Sequence, residues 1–329
     1  MPSVSVIIPV FNSERYIGRC LDSVLGQRQQ DIEVICVNDK SSDGTLSVLY
    51  QRAEADPRLK VVDLERNLGP GNARNVGIDV SKGEFLYFID SDDWIEPDYL
   101  SSMLFEITST GQDVVVNPEY IEEYESFSLK HQDRDIGYWI PGPGFHDPRL
   151  VQALIPPLVV LRLYRRSYLM DNNIRFPVCR AGEDVFFSGL AEVLQKRSYI
   201  FHGPKYHYLQ RKQSLVRQEE TCLEVVKNFK ALFEAVVGRG LSVNGMKLFQ
   251  AGLRLNVSSE NAFLLLRDYC KEISDFVEGN VSLYNGFDRF VINALLKSVD
   301  YHDFISTYGA RPALMYVRRS YLSHHITAT

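Results

Sequence analysis

The chain opens on Val4 to Ile8, a β-branched apolar run that reads as a short strand ended by Pro9. Asn12 and Ser13 stand where they could cap a helix, and Ile17, Cys20, Leu21, Val24 and Leu25 then recur at helical spacing, giving that helix one buried face. The pattern repeats. Ile32 to Val37 predicts a second strand, followed after a polar turn by a helix through Leu46, Leu49, Tyr50 and Ala53. Leu59 to Leu64 predicts a third, followed by a glycine-rich turn and a helix reaching Val80. A fourth apolar run, Phe85 to Ile89, ends abruptly in Asp90-Ser91-Asp92-Asp93. This alternation predicts an α/β fold with a mostly parallel sheet flanked by helices. Polar residues follow each of these strands, at the carboxyl ends where open α/β sheets bind ligands.

Carboxylates spaced as closely as Asp90, Asp92 and Asp93 repel one another, and the arrangement makes best sense if a cation neutralises them. Mg²⁺ or Mn²⁺ fits, because a hard divalent ion needs few carboxylates and leaves coordination places for phosphate oxygens. The plainer reading makes Asp93 a helix cap ahead of Trp94 and Pro97 and the others solvated loop acids.

Composition narrows the class. The chain has 329 residues, 45% hydrophobic and 24% charged, enough for a large α/β domain with an extension. A net charge of −6 argues against a nucleic-acid partner, which needs clustered cations. Five scattered cysteines without a C-x-x-C pair indicate neither a disulfide framework nor structural zinc, and Cys20 and Cys36 fit core positions. With no signal-like amino terminus and no stretch of about 18 apolar residues, a cytoplasmic protein is expected.

Several segments in combination carry a resemblance. Pro9-Val10-Phe11-Asn12, Val37-Asn38-Asp39 through Gly44-Thr45, Asn67-Leu68-Gly69 with Ala73-Arg74-Asn75-Val76-Gly77, Asp90-Ser91-Asp92-Asp93 and Gly182-Glu183-Asp184-Val185-Phe186-Phe187 closely resemble glycosyltransferase family two, the inverting sugar transferases of the GT-A fold. The likeness covers roughly residues 3 to 217. It implies a GT-A nucleotide-sugar-binding and catalytic domain over 1–217, and leaves 218–329 as a helical carboxyl-terminal extension.

The resemblance implies a nucleotide-sugar donor, most often a UDP-sugar, and a glycan or lipid-linked acceptor in surface polysaccharide assembly. Pro9, Phe11 and Glu14 would meet base and ribose, with Phe11 as core the alternative. Asp39 could accept a hydrogen bond from a uracil N–H, or serve as a turn acid on the amides of Ser41 and Ser42. Arg74 offers a fork of donors to base or phosphate, or a surface ion pair. Asp90 and Ser91 would lie on the donor, Asp90 on its ribose hydroxyls, and Asp92 on the metal, with His207 as a further metal ligand or a structural histidine. Asp184 would be the general base, oriented by Glu183, both kept ionised by a helix amino terminus.

Two other classes share some of these features. A sugar-nucleotide pyrophosphorylase would need a glycine-rich basic first loop, which Pro9 to Glu14 lacks, and a non-catalytic binding scaffold would not need Asp92 and Asp184 together. Arg211, Lys212, Ser214 and Arg217 form a basic loop that could close over a diphosphate. The extension could pair two subunits, and its basic amphipathic tail, Arg311 to His325, could rest on the inner face of the membrane or be an ordinary surface helix.

Overall fold

The computed structural model describes residues 2–125, 142–148, 151, 155, 157–179 and 182–211, with isolated residues between 224 and 303. The chain divides into two compact units, Met1–Ser214 and Leu215–Thr329. In the second, described residues such as Leu232 and Val236 are buried in helical turns. The basic tail, Arg311 to His325, lies outside the described residues, as do Lys212, Ser214 and Arg217.

The first unit begins as strand–helix repeats. These are β1 (Val4–Val10), α1 (Ile17–Leu25), β2 (Ile32–Asn38), α2 (Thr45–Ala55), β3 (Leu59–Asp63), α3 (Pro70–Val80) and β4 (Phe85–Phe88). A second half follows, with β5 (Trp94–Ile95), α4 (Tyr99–Thr110), β6 (Val114–Val116), β7 (Tyr120–Tyr124) and β8 (Gly144–His146). It ends with β9 (Arg162–Arg165), α5 (Arg166–Asp171), α6 (Glu183–Val193), β10 (Ser198–Ile200) and β11 (Tyr206–Gln210).

Eight strands form one sheet in the order β3-β2-β1-β4-β9-β6-β10-β8. Its β3-β2-β1-β4 half is parallel, and β9 enters antiparallel between β4 and β6. A smaller sheet, β5-β11-β7, stands apart from it. β1 is buried throughout because it is central and covered on both faces. At Gly77 a Cβ would sit 2.4 Å from Ile7, so only glycine lets α3 pack this closely on β1.

Two local expectations are corrected. β1 continues through Pro9, which is tolerated because β4 pairs only as far as Ile7 and one flank of Pro9 therefore needs no ladder donor. Asn12 does not cap α1. Its backbone is left-handed (φ 46°), its N–H donates to Ser41 Oγ at 3.0 Å, and its Oδ1 accepts the N–H of Ser42 at 2.8 Å, joining the turns after β1 and β2.

Candidate active site

The turns after β1, β2 and β4 meet the start of α6 at one end of the parallel strands, and Arg74 on α3 lies among them. Arg74 is only 3% exposed. Its Nη2 donates to Asp90 Oδ1 at 2.7 Å and its Nη1 to Glu183 Oε1 at 2.6 Å, with Asp184 Oδ1 3.3 Å from the same Nη1. Both ends of the guanidinium are thus committed to protein carboxylates, rather than open toward a donor as the sequence reading expects. Burial works against this charge, but Asp184, Asp90 and Glu183 outweigh it and raise the pKa of Arg74.

The backbone that delivers Glu183 and Asp184 is fixed from several sides. Asn75 donates from Nδ2 to Phe176 O at 2.8 Å and accepts the Phe176 N–H at 3.0 Å. Gly69, at φ 88°, and Gly71 let the start of α3 approach this segment. A Cβ there would meet Cys179 O at 2.9 Å and Pro177 O at 2.8 Å respectively. These glycines thus admit the backbone next to α6. Phe176 stacks on Phe187 of α6 at 3.9 Å, and both contact Phe88 edge-on, locking helix to sheet.

Asp184 keeps 20% of its side chain exposed. Its Oδ2 accepts the Val159 N–H at 3.3 Å, whereas its buried Oδ1 accepts no hydrogen bond among the described residues. Burial pushes its pKa up to about 7, Arg74 opposes, and Glu183 and Asp90 add to the rise. The helix amino terminus does not keep this carboxyl at an ordinary value, because desolvation and like charge are the stronger effects here.

The acids after β4 divide their roles. Asp92 is pushed up to about 6 by burial, against the pull of Arg211, whose Nε lies 2.6 Å from Asp92 Oδ2. Ser91 is buried, with its Oγ 2.7 Å from Ser13 Oγ, tying this turn to the one after β1. Asp93 is no helix cap. It is fully buried, accepts the Leu209 N–H at 2.8 Å and the hydroxyl of Tyr206, and so fastens β11 beneath the acidic turn.

Asp39 is buried and accepts the N–H groups of Leu68 and Gly69, each at 2.8 Å, rather than those of Ser41 and Ser42. Each oxygen keeps a second lone pair direction for a ligand. Phe11 is 47% exposed, so it is not core. Pro9 is buried in β1, and the exposed Glu14 accepts the Gly44 N–H at 3.0 Å. His207 stacks on Trp94 at 4.9 Å, and its ring nitrogens face Glu123 at 3.0 Å and Glu96 at 3.8 Å. Among the described residues no three His, Cys, Asp or Glu side chains gather as a metal cluster. One carboxylate, such as that of Asp92, suffices for an ion whose remaining places go to phosphate oxygens and water.

Residues that sequence reasoning missed include Ser13, Asn75 and Tyr206, which build the site through hydrogen bonds to other parts of the chain. None carries a local signal, since each acts on a partner distant in sequence.

No helix among the described residues is long and apolar enough to cross a membrane. The family model described as glycosyl transferase family 2 matches residues 5–172. "Putative glycosyltransferase EpsH" of Bacillus subtilis is 33% identical over 285 residues, 84% of this chain and 74% of that protein. Staphylococcus aureus TarS, a "Poly(ribitol-phosphate) beta-N-acetylglucosaminyltransferase", is 30% identical over 223 residues, 65% of this chain and 36% of that protein. The crystal structure of TarS 1–349 with UDP-GlcNAc superposes with a TM-score of 0.73 at 20% identity, covering 97% of this chain and 92% of that one. A Pyrobaculum calidifontis mannosyltransferase with GDP-Man and Mn²⁺ gives 0.57 at 17% identity, covering 95% and 85%. Sequence and fold agree, and the chain belongs to glycosyl transferase family 2, a sugar-transferring enzyme of the GT-A fold.

Proposed function

We propose that this enzyme is a metal-dependent, inverting transferase that moves one sugar from a UDP-sugar to a hydroxyl of a glycan or lipid-linked acceptor in surface polysaccharide assembly. The observation that carries this reading is Asp184, a carboxyl pushed up to about 7 by burial yet with 20% of its side chain still exposed, next to the acidic turn after β4. A base poised near the working pH takes a proton best during the reaction.

In this reading the exposed ring of Phe11 stacks on the base, Asp39 accepts from it, and Asp90 meets the ribose hydroxyls with its oxygen not held by Arg74. Asp92 would hold Mn²⁺ or Mg²⁺, which when bound would supply Lewis-acid stabilisation of the charge on the leaving diphosphate. The acceptor oxygen attacks the anomeric carbon opposite the diphosphate. Its proton passes to Asp184, and the electron pair of the broken sugar–phosphate bond leaves with the nucleoside diphosphate. TarS crystallised with UDP-GlcNAc supports a UDP-sugar, and the mannosyltransferase with Mn²⁺ supports a metal.

The test is calorimetric titration with UDP, with and without Mn²⁺, followed by hydrolysis of a panel of UDP-sugars. The reading expects metal-dependent UDP binding and one preferred sugar. Absence of UDP binding under both conditions would exclude the UDP-sugar donor.

A further inference from the structure

Three acids from two separate parts of the chain share one buried cation. Asp90 comes from the turn after β4, Glu183 and Asp184 from the first turn of α6, and the guanidinium of Arg74 spans them at 2.7, 2.6 and 3.3 Å. Its remaining Nε is buried and makes no hydrogen bond among the described residues. The Phe176 ring lies over one face of the guanidinium at 5.3 Å, and both of its terminal nitrogens are held by carboxylates, so a nucleotide that gripped them would have to break an existing ion pair. The neighbouring Asn75 clamps the same segment from the backbone side.

We propose that Arg74 is a positioning residue for sugar transfer. It holds the Asp184 carboxylate through a guanidinium shared with Glu183 and Asp90, so that the donor side and the base side of the site move as one unit. The proposal rests on the reading of Asp184 as the base. Its first consequence is that Arg74 matters to turnover more than to donor affinity. Its second concerns pH. The groups facing Asp184 are Arg74 from α3, Asp90 from the β4 turn, Glu183 from α6 itself and Tyr164 from β9. Among the described residues Arg74 is the one cation of this set, so weakening it leaves the carboxyl harder to ionise.

The experiment compares wild type with Arg74→Lys, which keeps the charge but loses the fork, and with the double variant Arg74→Gln/Glu183→Gln. The double variant removes one buried acid together with the cation and serves if the first fails to fold. UDP affinity with Mn²⁺ is measured by calorimetry, and turnover by hydrolysis of UDP-GlcNAc or whichever UDP-sugar is hydrolysed fastest, across pH. Expected in both variants is a UDP Kd within about threefold of wild type and kcat lowered roughly thirtyfold or more, and in Arg74→Lys, where both acids remain and the fork is lost, the acid limb of the kcat profile moves to higher pH. UDP affinity weakened more than about tenfold with kcat at saturating donor nearly unchanged would make Arg74 a donor ligand and overturn the proposal. In Arg74→Lys, a lowered kcat with an unmoved acid limb would also overturn it, leaving a merely structural role. Asp184→Asn, run alongside, separates the two claims: if it retains wild-type turnover, the base assignment itself fails.

Discussion

Arg211 holds its guanidinium Nε 2.6 Å from Oδ2 of Asp92, the carboxylate on which a donor-bound metal would depend. The arginine is seated against the Tyr16 ring at 5.3 Å, and Tyr16 is anchored in turn by a 2.7 Å hydrogen bond from its hydroxyl to Glu125. A cation of the chain thus holds one oxygen of Asp92, and a metal ion taking that oxygen would have to displace it. Arg211→Gln should bind Mn²⁺ several-fold more tightly in the absence of nucleotide, read by electron paramagnetic resonance of the free ion. Unchanged affinity would show that the pair does not compete with metal.

The acidic turn also sets a pH dependence of stability. Burial raises the carboxyl of Asp92 to about 6 and that of Asp184 to about 7 in the folded chain. The folded state therefore binds more protons than the unfolded state between about pH 4 and 7. Their stabilising contribution is complete below about pH 4 and is lost as pH rises through 6 and 7. Asp92→Asn should accordingly be more stable than the parent at pH 8 by about 1–3 kcal/mol, a difference that shrinks toward pH 4, measured by urea unfolding. A variant less stable at pH 8 would mean that the Arg211 pair outweighs desolvation.

Gly71 sits in the first turn of α3, where alanine would ordinarily favour a helix. Here a Cβ meets Pro177 O at 2.8 Å and Glu183 Cβ at 3.3 Å. Gly71→Ala should cost about 1–3 kcal/mol and push the segment bearing Glu183 and Asp184 out of place, lowering turnover as well as the melting temperature. A stabilised, fully active variant would contradict the close approach.

Tyr206→Phe removes the hydroxyl that donates to the fully buried Asp93. The loss should be about 1–3 kcal/mol in chemical unfolding, because the carboxyl cannot recover the bond from water. Under 0.5 kcal/mol, a roughly neutral surface-like effect, would argue against the tether.

Much of this was legible in the sequence, for reasons of range. β1 to β4 and their helices follow from apolar periods within a few residues, and Asp90, Asp92, Glu183 and Asp184 stand at element ends that those periods mark. What could not be read depends on distant partners. Asp93 looks like a cap in its own neighbourhood, and its role is decided by Tyr206 and Leu209. Arg74 looks like an exposed donor until its acids fold around it. β5 spans Trp94–Ile95 alone, too short for any periodic signal, and exists because β11 pairs with it.

The account turns on the side chain that takes the acceptor's proton, and the most direct measurement is turnover and UDP affinity of Asp184→Asn at saturating donor and Mn²⁺. The account predicts a loss of kcat on the order of a hundredfold or more with UDP affinity essentially retained. Wild-type turnover in this variant would contradict it.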